Sequence, residues 1–151
     1  MSVASEVAKK LLQIKAIKLS PQNPFTWASG IKSPIYCDNR IILSHPSARD
    51  YVTYCLEKKV LGMKYDAIAG VATSGIAFGA LLAQKTEKPM VYVRSKPKAH
   101  GRQNMIEGDL DGLENIIVIE DLISTGGSVL KAVEALKEAG CNVVNLSLIH
   151  I

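Results

Sequence analysis

The stretch that decides the fold is IIVIEDLISTGGSVLKAVEALKEAG, residues 116–140. It opens with an apolar run ending in two acids, passes through small hydroxyl and glycine residues, and closes with apolar residues at helical spacing before Gly140. This order predicts a buried strand, a tight turn and an amphipathic helix with a glycine at its end. A strand that is apolar throughout is typical of a parallel sheet covered on both faces.

The same pattern continues on either side of this stretch. Upstream, YDAIAGVA (65–72) predicts a strand, SGIAFGALLAQKTEK (74–88) a helix and PMVYVRS (89–95) another strand, before a polar stretch over 96–111. Downstream, NVVNLSLIHI (142–151) predicts a further strand. Strands that alternate with helices indicate an α/β fold with a doubly wound parallel sheet.

The first 45 residues have a different pattern. Residues 3–14 predict an amphipathic helix with four apolar residues on one face, namely Val3, Val7, Leu11 and Ile14. The segment FTWASGIKSPIYCDNR (25–40) mixes aromatics, a Ser-Gly turn and a proline, which predicts short extended pieces. Ser44 and Pro46 then predict the start of the next helix.

The length of 151 residues fits one domain with one core. We assign about 1–45 to an N-terminal helix and a small accessory segment, and about 46–151 to the core of that domain. The chain ends at Ile151, in or just after the last predicted strand, before any helix that would cover the next part of the sheet. We therefore expect a truncated form of a longer protein.

Composition limits the partners. The formal charge of +4 suits an anionic ligand, but aromatic residues make up only 5% of the chain, so we expect a small phosphorylated ligand and no nucleic acid. The three cysteines are far apart, which argues against disulfides and zinc and favours a cytoplasmic protein. The uncharged stretch 67–83 carries Thr73, Ser74 and three glycines, so no membrane helix is expected.

Two adjacent acids, Glu120 and Asp121, follow the central strand at the edge where open parallel sheets bind ligands. Neighbouring carboxylates repel each other and are costly to desolvate, so they suit a pair of vicinal hydroxyls or a metal-bound ligand. The turn that follows, 124–128, can surround a phosphate with backbone amides and hydroxyls at a helix N-terminus. Together they predict a ribose 5-phosphate site. The alternative is that Ser124 or Thr125 caps the helix and the glycines only form a turn.

A second strand-to-helix turn, GVATSGIA (70–77), is also rich in small residues. Gly70 and Gly75 have the spacing of a nucleotide-binding P-loop, but Ile76 and Ala77 stand where lysine and a hydroxyl residue are required. This excludes a nucleoside triphosphatase loop. An anion-binding turn and a plain turn remain open.

The segment RSKPKAHGRQN (94–104) is broken by proline and glycine and carries five basic or imidazole side chains, which are Arg94, Lys96, Lys98, His100 and Arg102. It is either a solvated charged loop or a mobile loop that neutralises a polyphosphate leaving group on closing.

The turn VIEDLISTGGS (118–128) resembles the phosphoribosyl pyrophosphate signature of the type I phosphoribosyltransferases. Three more segments resemble the orotate branch of that family: 25–40 its base-binding hood, 70–83 its pyrophosphate loop and 94–101 its catalytic loop. The resemblance covers the chain from about residue 5 to its end.

The resemblance implies a type I phosphoribosyltransferase fold with a small N-terminal hood. It also implies transfer of ribose 5-phosphate from phosphoribosyl pyrophosphate to orotate in pyrimidine biosynthesis, with Mg²⁺ as cofactor. The expected assembly is a homodimer whose catalytic loop is shared across subunits. The substrate's own oxygens can coordinate Mg²⁺, so we assign no protein residue as a metal ligand.

The resemblance also implies roles for individual residues. Catalysis is assigned to Arg94, Lys98 and His100. Orotate binding is assigned to Ser29, Gly30, Tyr36 and Ser124. Phosphoribosyl pyrophosphate binding is assigned to two turns, made up of Thr73, Ser74 and Gly75 and of Glu120, Asp121, Leu122, Ile123, Ser124, Thr125, Gly126, Gly127 and Ser128. The chain departs from the family pattern at Ala28, where some members carry a lysine, and ends before an arginine that binds the base.

Three alternatives remain open at this point. A purine phosphoribosyltransferase would share the signature and differ in the hood. A regulator would bind phosphoribosyl pyrophosphate without chemistry, and a fragment would be catalytically inactive.

Overall fold

The computed structural model describes residues 2–96 and 104–149. Its elements, in chain order, are α1 (Val3–Gln13), β1 (Ile17–Leu19), β2 (Phe25–Thr26), β3 (Lys32–Ser33), β4 (Ile35–Cys37), a 3-10 helix (Asn39–Ser44), α2 (Pro46–Val60), β5 (Ala67–Val71), α3 (Ser74–Thr86), β6 (Met90–Val93), β7 (Ile106–Glu107), β8 (Asn115–Glu120), α4 (Gly127–Glu138) and β9 (Asn142–Leu148).

A five-stranded sheet in the order β7-β6-β5-β8-β9 forms the centre of the fold. Strands β6, β5, β8 and β9 are parallel, which confirms the predicted α/β class with a central parallel sheet. The short edge strand β7, antiparallel to β6, was missed in the polar stretch 96–111. Its one buried apolar residue, Ile106, pairs with Val93, and a single apolar position produces no periodic signal.

Helices cover both faces of this sheet. On one face Ile68, Ile117 and Ile119 pack in one cluster with buried residues of α1, α2 and α3. On the other face Ala69 and Val118 pack with buried residues of α4. Each large side chain buried in this way contributes roughly 1.5–3 kcal/mol, so the two clusters hold the sheet and helices in a fixed relation.

The N-terminal part forms two small antiparallel pairs, β1 with β4 and β2 with β3. Strands β2, β3 and β4 confirm the short extended pieces predicted over 25–40, whereas β1 lies before that segment and was not predicted. Helix α1 buries Val7 and Leu11, whereas Val3 is 54% exposed, so the predicted apolar face is shorter than expected. Val3 lies in the first turn of α1. Helix α2 begins at Pro46 as predicted.

Among the described helices, none combines the length and the apolar character needed to cross a lipid bilayer.

Candidate functional site

The candidate site lies where β5 and β8 end side by side. The two strands are parallel neighbours, and Gly70 pairs with Ile119, so the turns that follow them leave the sheet at the same edge. Each of the two turns forms one wall of an open cleft of about 290 Å³. The cleft is lined by Cys37, Asp38, Arg40, Ala72, Thr73, Ser74, Glu120, Asp121, Leu122 and Ser128.

Close glycine packing brings the first turn of α3 onto the sheet. A Cβ at Gly75 would lie 2.5 Å from the Ile119 carbonyl oxygen, and a Cβ at Gly70 would lie 2.6 Å from the Gly75 carbonyl oxygen. No real Cβ contact is this short, so both positions require glycine. The P-loop-like spacing of these glycines therefore serves helix-to-strand packing, and it places Thr73 and Ser74 across the cleft from the acids of β8.

The two acids have different surroundings. Glu120 is 5% exposed, and its Oε1 accepts a hydrogen bond of 2.9 Å from the backbone N–H of Asp121, which is half-buried. Burial raises the pKa of Glu120 to about 8. The hydrogen bond from the backbone of Asp121 opposes this rise, and the side chain of Asp121 adds to it. Glu120 therefore keeps its proton to a higher pH than an ordinary carboxyl group, and in that form it can donate as well as accept a hydrogen bond.

The turn after the acids leaves the start of α4 open. Gly126 occupies the N-cap position with φ of +84°, and no side chain caps the helix. This contradicts the alternative in which Ser124 or Thr125 is the cap. A Cβ at Gly127 would meet no atom within 4 Å, so the start of α4 is both uncapped and uncrowded, as an anion-binding helix N-terminus requires.

The segment 37–40 forms a third wall of the cleft that sequence reasoning did not assign to the site. Arg40 donates to both carboxylate oxygens of Asp38, at 2.7 and 3.0 Å, and these hydrogen bonds lower the pKa of Asp38. Burial raises the pKa of the Cys37 thiol to about 11, with Asp121 and Asp38 adding to the effect. The available signal was the polar group DNR directly after a short apolar strand.

The chain is similar to known proteins in sequence and in fold. Residues 40–150 match the family model of the phosphoribosyl transferase domain. An orotate phosphoribosyltransferase of Listeria monocytogenes is 53% identical over 151 residues, which are 99% of this chain and 72% of that protein. One from Phocaeicola vulgatus is 59% identical, covering 92% of this chain and 66% of that protein.

This chain belongs to the orotate phosphoribosyltransferase family. A solved structure of the orotate phosphoribosyltransferase from Aeropyrum pernix superposes with a TM-score of 0.76 at 29% identity, covering 94% of this chain and 79% of that one. The type I phosphoribosyltransferase fold inferred from the signature is thereby confirmed.

The residues that family resemblance assigned to donor binding come together in part. Thr73, Ser74, Glu120, Asp121, Leu122 and Ser128 line the cleft. Gly75 is buried and packs against the backbone of β8, so it does not line the cleft itself. Ser124 and Thr125 are exposed in the turn between Ile123 and Gly126.

The residues assigned to the base do not line the cleft in the described part of the chain. Ser29 and Gly30 form the exposed turn between β2 and β3, where the Gly30 N–H donates to the Trp27 carbonyl at 2.8 Å. Tyr36 lies on β4 with its ring 5.5 Å from that of Phe25, and it directly precedes the cleft residue Cys37.

The predicted catalytic loop is described only at its edges. Arg94 follows β6 and forms an ion pair of 3.3 Å with Glu107 of β7. Lys98 and His100 lie outside the described residues. Their assignment stays a prediction.

Proposed function

We propose that this chain transfers the 5-phosphoribosyl group of phosphoribosyl pyrophosphate to N1 of orotate, which yields orotidine 5′-monophosphate and pyrophosphate. One cleft carries the proposal. It is lined by the two acids at the end of β8, by Ser128 at the uncapped start of α4 and by the two hydroxyl residues that follow β5. Membership of the orotate phosphoribosyltransferase family supports the choice of base.

In this proposal the acids hold the sugar. The carboxylate of Asp121 accepts hydrogen bonds from the ribose hydroxyls, and Glu120, whose raised pKa favours the protonated form, donates to one of them. The 5-phosphate lies against the amides of 125–128, where the helix dipole of α4 favours negative charge. These contacts fix the ribose so that its C1 faces the incoming base.

Loss of pyrophosphate is the step that needs charge stabilisation. The bond from C1 to the pyrophosphate oxygen breaks, positive charge develops on the ribose and negative charge on the leaving group. Thr73 and Ser74 donate hydrogen bonds to the departing pyrophosphate, and Arg94, Lys98 and His100 approach it from the loop. Preorganised donors of this kind typically account for about 10²–10³ in rate each. Arg94 would exchange its contact to Glu107 for the pyrophosphate.

The donor set fits Mg²⁺ bound together with substrate. No cluster of three or more acidic, histidine or cysteine ligands occurs in 2–96 or 104–149, whereas Mg²⁺ commonly binds through one or two carboxylates plus substrate phosphates. In this proposal the oxygens of the substrate would supply most of the ligands, and no residue is assigned as a metal ligand. The ion would neutralise charge on the pyrophosphate.

We also propose a cytoplasmic homodimer in which each catalytic loop closes over the neighbouring site. The three unpaired cysteines support a reducing compartment. Sedimentation of the chain with and without phosphoribosyl pyrophosphate tests the assembly, and a monomer under both conditions would contradict it.

The function is tested by pyrophosphate release from phosphoribosyl pyrophosphate with Mg²⁺, with orotate, adenine, hypoxanthine and guanine assayed in parallel. Of the four bases, we expect only orotate to support the release of pyrophosphate. Release with a purine and not with orotate would instead establish a purine phosphoribosyltransferase. Donor binding without release under any base would indicate a regulator or an inactive fragment.

A further inference from the structure

Asn39 is a buried amide whose two polar atoms are both engaged. It is 1% exposed and begins the 3-10 helix. Its Nδ2 donates to the backbone carbonyl of Asp121 at 2.7 Å, and its Oδ1 accepts from the thiol of Cys37 at 3.0 Å. Only the amide nitrogen can donate to a carbonyl and only the amide oxygen can accept from a thiol, so these contacts fix the orientation of the side chain.

The backbone that carries Asn39 is itself held in place. Cys37 pairs with Ile17 in the β1–β4 ladder, and the N–H of Asp38 donates to the carbonyl of Ala16 at 2.8 Å. On the other side the Asp38 carboxylate accepts from the backbone N–H of Arg40 at 3.2 Å and from its guanidinium. Asn39 therefore projects from an anchored base and not from a free loop.

At the other end of the contact, Asp121 is the residue at which the chain leaves β8. Its N–H is bound by Glu120 and its carbonyl by Asn39, so the peptide units on both sides of its Cα are fixed by side chains. The direction of the Asp121 side chain follows from those two units. The path of the turn toward Gly127 also depends on these two peptide units, because no side chain caps the helix at the other end of the turn.

We infer that Asn39 is a positioning residue for binding of the phosphoribosyl donor. It acts through its hydrogen bond to the backbone carbonyl of Asp121, a residue 82 positions away in sequence. This rests on the proposed function of the cleft. Asn39 makes no contact with the donor; it sets the direction of the acid and of the phosphate turn. A shift of about 1 Å in such a turn can cost on the order of a hundredfold in rate.

The variant Asn39→Asp tests this inference because it keeps the shape of the side chain and replaces the donor with a carboxylate facing a carbonyl. We expect the Kd for phosphoribosyl pyrophosphate with Mg²⁺, measured by titration calorimetry, to rise about ten- to a hundredfold. Amide hydrogen exchange should accelerate over 121–128 and stay unchanged in the centre of β6. Asn39→Ser, which is neutral and too short to reach the carbonyl, reports the same effect if the aspartate variant does not fold.

The matched control is Thr53→Val, which removes another buried hydrogen bond to a backbone carbonyl, from Thr53 Oγ1 to Arg49 at 2.9 Å within α2. It should lower the thermal midpoint without changing the Kd. If the Asn39 variants also lose only stability, with the Kd and the exchange of 121–128 unchanged, Asn39 is structural and the inference is overturned. A wild-type chain that binds no phosphoribosyl pyrophosphate would overturn the proposed function, and the inference with it.

Discussion

The backbone N–H of Asp121 donates a hydrogen bond to the carboxylate of Glu120, with 2.9 Å between the nitrogen and Oε1. This contact separates two acids that are adjacent in sequence: Glu120 turns back and is buried, while Asp121 remains half-exposed at the cleft. Because burial disfavours the charged form, the pair shares its negative charge unequally. In the proposed function, Asp121 is the acid that accepts the ribose hydroxyls.

Replacing Asp121 with asparagine should weaken binding of phosphoribosyl pyrophosphate about ten- to a hundredfold, because hydrogen bonds to a charged group contribute roughly 1.5–3 kcal/mol. The fold should stay intact, since Asn39 and Glu120 hold the backbone of Asp121, and both of these contacts remain when the side chain becomes an amide. Calorimetric titration measures the affinity. Asp50→Asn, at a side chain 76% exposed on α2, is the control for the same change in charge. A melted Asp121→Asn protein would show the acid to be structural.

Stability should fall with rising pH through Glu120. The unfolded chain releases this proton near the ordinary value of 4.5, whereas the folded chain releases it at a pKa of about 8. Between these values the folded state binds the extra proton, so its stability is present below about 4.5 and is lost as the pH rises through about 8.

The variant Glu120→Gln isolates this effect, because it removes the titration and keeps the size of the side chain. Urea unfolding at several pH values between 5 and 8.5 should show the wild type losing stability relative to the variant as the pH rises. If the free energy of unfolding changed with pH in the same way for both proteins, the pKa of Glu120 would not be raised in the folded state.

Gly75→Ala should destabilise the fold by about 1–3 kcal/mol, the usual cost of forcing atoms into a packed site. Its Cβ would lie 2.5 Å from the Ile119 carbonyl oxygen, and neither backbone can move without disturbing the sheet. Gly127→Ala is the control, since its Cβ would meet no atom within 4 Å. Urea unfolding compares the two, and equal stabilities would contradict the packing role of Gly75.

Lys98→Ala should lower turnover far more than it weakens binding of phosphoribosyl pyrophosphate, because loop cations act chiefly on the charge that develops in the transition state. Steady-state kinetics and calorimetry together separate the two quantities. Lys64→Ala removes the same charge from an exposed position before β5, at the opposite end of the strand from the cleft. Equal losses in both quantities for Lys98→Ala, or no loss in either, would argue against the loop's role.

Local patterns in the sequence predicted most elements of the fold. The strand, turn and helix over 116–140 were predictable because the change from an apolar run to helical spacing lies within one short segment. The acids at the end of β8 were predictable for the same reason. The two-residue strand β7 was not, since its single buried residue leaves no period to detect.

Contacts between distant segments could not be read from the sequence. Nothing around Asn39 indicates that its amide reaches Asp121, 82 positions away. The polar group DNR after a short apolar strand was a signal for residues 37–40, but it does not by itself place them in a wall of the cleft. Gly75 was assigned to ligand binding by family resemblance, but only the fold reveals that it packs against Ile119. The roles of Ser29, Lys98 and His100 stay predictions.

The central claim is that one cleft holds both the sugar and its phosphate. A crystal structure of the chain with ribose 5-phosphate tests this most directly. We expect the phosphate within hydrogen-bond distance of the amides of 125–128 and the ribose hydroxyls on the carboxylate of Asp121. A sugar phosphate bound elsewhere, with Asp121 turned away from it, would contradict the account.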